Sequence, residues 1–220
     1  MTVIDDLRSR ITTVDPASAS ALLHAKATQL VDVMIPRVQL SDGTLGFRAR
    51  VETTIVLQLG DTVSADAPRE EITLVAECSE IRLHDPVLTL DGDMRLDLET
   101  VSYVATGVSK VLWPGQELRL VVGRGIDPMM RATTGRMEVS PLTTFGVDPV
   151  RSTQEVYLVA ETPLGRLHNR DAAIMHCQLT RIPPVNQPYR QEGTVRLYND
   201  AGIVCAIKID TESVITEVLH

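Results

Sequence analysis

Short segments in which apolar and polar residues alternate run through most of this chain. In the clearest of them, every second residue from Phe47 to Leu59 belongs to one mostly apolar face, while Arg48, Glu52 and Gln58 belong to the other. A period of two residues is typical of a β-strand that buries one face. Because similar segments recur towards the C-terminus, the sequence predicts an all-β protein.

Turn-forming residues divide residues 45–210 into about nine or ten mostly antiparallel strands. Asp91-Gly92, Pro114-Gly115 and residues 199–202 predict tight turns. In residues 72–83 the apolar positions change sides, which predicts a β-bulge near Cys78. These features favour a single domain that is either a β-sandwich or a β-barrel, and only the strand register, which the sequence does not reveal, separates the two.

Two stretches differ from this β pattern. Residues 1–36 have apolar residues at helical spacing, and Asp15-Pro16 is a typical helix start, so we expect a short N-terminal helical segment packed on the main domain. Residues 123–152 are rich in glycine and proline and predict an irregular insertion. A connection of this length in a compact domain is usually functional, oligomeric or mobile. The sequence leaves open whether it is a lid, an interface or a mobile loop.

Composition disfavours several classes of partner. The net charge of −8 opposes binding to nucleic acid or to an anionic membrane, and aromatic residues, at 3%, are too few for a base-stacking surface. Asp5 and Asp6 stand where a signal peptide needs basic and then apolar residues, so we expect a cytoplasmic protein. Basic residues are almost all arginine, with only Lys26, Lys110 and Lys208 as lysines, which favours a bacterial source.

The three cysteines predict no disulfide framework. Cys78, Cys177 and Cys205 are an odd number without paired spacing, and each lies in an apolar, strand-like run. Cysteine in such surroundings is usually a buried free thiol. We therefore expect three buried thiols.

No standard catalytic, cofactor-binding or metal-binding motif is present, so we predict no cofactor and no metal site. His176 is a candidate general acid–base if its strand face lines a cavity, with Glu77 as an alternative and Arg170 to hold an anionic group. In the competing interpretation, that face is simply solvated. Lys110 interrupts an apolar run, but its neighbours in sequence do not provide the desolvated surroundings of a Schiff-base lysine.

Bulky and adaptable side chains concentrate around the irregular stretch. Trp113, Met129, Met130 and Phe145 are of the types that line binding pockets and protein interfaces, although they also pack cores. They predict a ligand pocket or an interface in this region.

These observations favour a soluble bacterial all-β protein that binds an apolar small molecule or takes part in assembly, without catalysis. One alternative is a cofactor-free enzyme, such as a cyclase, isomerase or hydrolase, that uses His176 or Glu77 in a barrel cavity. A second alternative is a structural homo-oligomer in which residues 123–152 dock on a neighbouring subunit.

Overall fold

The protein is all-β in the part that the computed structural model describes, namely residue 40 and residues 44–84, 87–89, 93–140 and 148–219. The predicted N-terminal helical segment, residues 1–36, lies outside the described residues. Thirteen strands form one sheet. They are β1 (Gly46–Leu59), β2 (Arg69–Leu83), β3 (Val87–Leu88), β4 (Met94–Val108), β5 (Glu117–Val122), β6 (Thr133–Val139), β7 (Val150–Val156), β8 (Leu158–Thr162), β9 (Gly165–His168), β10 (Ala173–Leu179), β11 (Tyr189–Glu192), β12 (Val195–Tyr198) and β13 (Val204–Leu219).

The thirteen strands combine into eight long antiparallel arms. Five arms consist of two consecutive strands each: β2 with β3, β5 with β6, β7 with β8, β9 with β10, and β11 with β12; the others are β1, β4 and β13. Each arm pairs with the next arm along the chain, and β13 pairs with β1. The sheet therefore closes on itself as an up-and-down barrel, rather than forming a sandwich.

The division of the arms explains why more strands are present than the nine or ten predicted. Tyr157 alone separates β7 from β8, so one alternating segment becomes two strands. The opposite happens in β4, where the sequence pattern predicts one strand at residues 94–98 and another from residue 101, and the structure has one continuous strand. Residues 123–152, expected to be irregular, contain β6 and the start of β7, and β13 continues past residue 210 to Leu219.

The β-bulge predicted in β2 is present. Ala49 pairs with Ser79 and Val51 pairs with Ala76, so two residues of β2, at positions 77 and 78, lie opposite one residue of β1. Both point outwards, and the residues after them return to the interior. The expectation that Cys78 is buried was therefore wrong. Cys205 is only partly buried, whereas Cys177 lies in the core, and all three are free thiols.

Inward-facing positions of the arms supply a core of aliphatic residues. Phe47, Ala49, Val51, Ile55 and Leu57 of β1 are all buried, as the alternation predicted.

Turns join neighbouring arms at the ends of the barrel. In the turn between β4 and β5, the Gln116 amide donates to the Trp113 carbonyl at 2.9 Å, and Gly115 has a φ of 78°, as the third position of a type II turn requires.

The neighbouring strands β2 and β4 lie very close to each other at Gly107. A Cβ added there would collide with the backbone carbonyl oxygen of Thr73 and lie 3.3 Å from the Cα of Leu74. Because backbone atoms cannot swing aside, we expect Gly107→Ala to lower the free energy of unfolding by about 1–3 kcal/mol, as measured by denaturant titration. Thr106→Ala, at the exposed neighbouring position, is the control. If both variants have the same free energy of unfolding as the parent protein, the two strands can separate here without loss of stability.

Candidate functional site

The interior of the barrel holds a cavity of about 110 Å³. Its wall is mainly apolar, and most of the arms contribute to it. Val51, Ile55, Leu120, Val122, Met175 and Ile215 form much of the apolar surface. Both halves of two divided arms, β5 with β6 and β7 with β8, reach the cavity, so it lies where these halves meet.

A chain of hydroxyl groups crosses part of this wall. The Tyr103 hydroxyl donates to Thr53 Oγ1 at 2.8 Å, and Thr53 Oγ1 lies 2.9 Å from Ser213 Oγ. Burial raises the pKa of Tyr103 to about 12, although the hydrogen bond to Thr53 opposes the shift. Tyr103 therefore stays neutral at physiological pH. The chain satisfies these buried polar groups with one another.

Lys208 reaches the cavity because β13 contains a bulge. Along β1, Val56 pairs with Asp210 and Leu57 pairs with Lys208, which leaves residue 209 without a partner. Lys208 and Thr211 thus become successive inward positions, although they are three residues apart in the sequence. Asp210, between them, points to solvent. Both Lys208 and Thr211 line the cavity.

The ammonium group of Lys208 is strongly desolvated. Only 3% of the residue is exposed, and burial lowers its pKa to about 7, although the charge of Asp210 opposes the shift. Within the described part of the chain, Lys208 Nζ makes no hydrogen bond. A large fraction of Lys208 is therefore a neutral amine near pH 7.

The structure does not bring the three predicted catalytic residues together. His176 lies on the outer face of β10, where its ring nitrogens are 3.0 Å from Thr153 Oγ1 and 2.5 Å from Glu192 Oε2. Glu77 is exposed and pairs with Arg50 at 3.0 Å. Arg170 is exposed too, and none of the three lines the cavity.

The four residues predicted to form a pocket or interface are also dispersed. Met129 is 92% exposed, and together with Met130 it borders a shallow surface depression beside Arg170. Trp113 lies instead in the turn between β4 and β5 and packs against the edge of the core. Phe145 lies outside the described residues. None of the described three contributes to the barrel cavity.

Lys110 belongs to the same turn as Trp113, and its surroundings have a structural role. The buried carboxylate of Glu70 accepts hydrogen bonds from the Ser109 hydroxyl at 2.6 Å and from the backbone amides of Lys110 and Leu112. Although burial raises the pKa of Glu70, these hydrogen bonds lower it below its ordinary value. The Lys110 residue itself is exposed.

Sequence reasoning thus missed the residue with the most unusual environment, Lys208. The available signal was its position in β13, where Ala206 and Ile207 before it and Ile209 after it are apolar. A charged residue inside such a run is a site candidate, because burial shifts its pKa.

Within the described residues, no group of three or more His, Cys, Asp or Glu side chains is placed to hold a metal ion. The described residues also contain no helix long and apolar enough to span a membrane.

Comparison with known proteins gives a similarity of fold. No protein-family model matches the sequence, and neither does any curated protein. A solved structure, that of DynF from the dynemicin biosynthesis pathway of Micromonospora chersina, superposes with a TM-score of 0.62 and 10% sequence identity. The match covers 85% of this chain and 86% of that chain.

The desolvated amine predicts a gain in stability when Lys208 is replaced. At and below a pH of about 7, the folded state must bury a charge that the unfolded state leaves in water, so Lys208→Met should raise the free energy of unfolding by about 1–4 kcal/mol. As pH rises from about 7 towards the ordinary lysine pKa of about 10.4, Lys208 is already neutral in the folded state but still charged in the unfolded state. The stability advantage of Lys208→Met should therefore shrink over this range.

Denaturant titrations between about pH 6 and pH 10 measure this difference. Lys110→Met removes an exposed lysine and should change stability by less than about 0.5 kcal/mol. If Lys208→Met destabilises the protein equally at every pH, the amine has a favourable partner in the folded state, and its assignment as an unpaired buried group is wrong.

Proposed function

We propose that this chain binds a small apolar molecule inside the barrel and acts as a binding protein without catalysis. The interior cavity carries this proposal. Small-molecule sites are concave and mainly apolar, with a few polar groups that orient the ligand. A barrel with eight strands around its circumference, like the eight arms here, has room for one small ligand. The cavity wall and its Tyr103–Thr53–Ser213 hydroxyl chain have this composition.

The volume of the cavity limits the size of the ligand. At about 110 Å³ it is somewhat smaller than an engineered apolar cavity of about 150 Å³ that stays dry and binds benzene. The occupant should therefore be about as large as one ring, or be the narrow end of a longer molecule. An empty cavity of this volume costs on the order of 2–3 kcal/mol, which an apolar occupant would partly recover through dispersion contacts.

The similarity to DynF supports a small-molecule role. DynF belongs to a biosynthesis pathway, and a similar fold extends over most of both chains. A barrel of this kind could hold an intermediate or product of such a pathway. An enzyme based on His176 or Glu77 has less support, because these side chains point away from the enclosed space.

Toluene is a suitable probe because its single apolar ring approaches the size of the cavity. We expect a titration followed by two-dimensional NMR to shift the amide signals of cavity residues such as Val51 and Val122. Met175→Trp should fill the cavity and weaken toluene binding by at least about tenfold, since a loss of 1.4 kcal/mol is sufficient for that change. Ile174→Trp, at the adjacent position on the outer face of β10, should leave binding unchanged.

The spectra of both variants report whether the barrel remains folded, and Val122→Phe offers a milder way to fill the cavity. If toluene produces no shifts in the parent protein, or if its shifts map to the outer surface and persist in Met175→Trp, the proposed binding function is wrong.

A further inference from the structure

An amine in an apolar cavity has a specific chemical use. Lys208 is one of two lysines in the described residues, and it alone lines the cavity; Lys110 is exposed to solvent. The β13 bulge holds its side chain inward, next to Thr211. Because Nζ makes no hydrogen bond to the described residues, its lone pair remains available in the neutral form.

The surroundings of Lys208 favour a neutral reaction partner over an anionic one. Binding a carboxylate would require the amine to be protonated and both charges to be desolvated, and that cost often exceeds the attraction between the charges. A carbonyl group brings no charge into the cavity. A desolvated lysine is also a typical nucleophile towards carbonyl carbon, since the unprotonated amine attacks.

We propose that Lys208 Nζ forms a reversible Schiff base with the aldehyde or ketone group of an apolar ligand held in the barrel cavity. This inference rests on the proposed binding function and names the chemical class of its ligand. Through this bond, the barrel becomes a covalent but reversible carrier of a carbonyl compound.

The reaction needs no oxidant, reductant or cofactor. The Nζ lone pair attacks the carbonyl carbon, and one proton moves from nitrogen to the former carbonyl oxygen to give a carbinolamine. Loss of that hydroxyl with a second proton from nitrogen releases one water molecule and leaves the C=N bond. Hydrolysis by one water molecule restores the amine and the carbonyl compound. The apolar wall limits access of water and so slows hydrolysis until the ligand is released.

Reductive trapping tests this proposal in the intact chain. Benzaldehyde is the probe, and sodium cyanoborohydride near neutral pH converts its imine into a stable benzylamine, which peptide mass spectrometry locates. We expect Lys208 to be labelled at least about tenfold faster than Lys110, because the cavity holds the apolar aldehyde next to Lys208 Nζ, whereas Lys110 meets the aldehyde only in bulk solvent. Lys208→Arg should lose the label at position 208 and leave labelling of Lys110 unchanged.

The cavity variants show whether labelling depends on the enclosed site. Met175→Trp should reduce labelling of Lys208, whereas Ile174→Trp should not. If Met175→Trp, with its fold checked by NMR, leaves the labelling rate unchanged, the aldehyde reacts without entering the cavity, and the proposal is wrong.

Two further ligands separate failure of this inference from failure of the binding function. Benzyl alcohol has nearly the shape of benzaldehyde but cannot form an imine. If it shifts the NMR signals of cavity residues while benzaldehyde labels Lys208 no faster than Lys110, the Schiff base is refuted and the binding function stands. If neither compound enters the cavity, both are refuted. If benzoate binds in a Lys208-dependent manner and benzaldehyde is not trapped, Lys208 is an ion-pairing group instead.

Discussion

The pairing of β13 with β1 is the constraint on which the rest of the structure depends. It extends from Arg48 opposite Leu219 to Leu59 opposite Ala206, nearly the full length of both strands. Without it, the eight arms would form an open sheet with two long unpaired edges, which expose hydrogen-bonding groups and favour aggregation. With it, every arm has two neighbours, and the inward faces enclose a common interior.

Closure also decides which polar groups are buried. Once the sheet is closed, inward positions lose much of their contact with water, whatever residues occupy them. Thr53, Tyr103 and Ser213 meet this condition by hydrogen bonding in a chain. Lys208 does not, and its burial has an energetic cost that aliphatic neighbours do not have. Residues that reduce stability in this way are characteristic of functional sites, where activity is retained at the expense of stability.

Much of the local structure could be predicted from the sequence, because alternation and turn chemistry act over a few residues. The inward face of β1, the bulge in β2 and the turn at Gly115 were all confirmed. The candidate site could not be predicted in the same way. Alternation along a strand puts the adjacent residues His176 and Cys177 on opposite faces of β10, but which of the two faces the interior depends on how the arms close into the barrel. Cys177 faces inward, so His176 lies outside the cavity.

The sequence by itself determined that the chain forms alternating antiparallel strands and which side chains share a face within each regular stretch. Only the tertiary structure decided that Lys208 and Thr211 lie on the same face, since a spacing of three residues puts them on opposite faces of a regular strand. The physical reason is the register between β13 and β1. Val56 pairs with Asp210 and Leu57 pairs with Lys208, so β13 must accommodate one extra residue at position 209. That bulge brings the Lys208 amine and Thr211 to the same inward face.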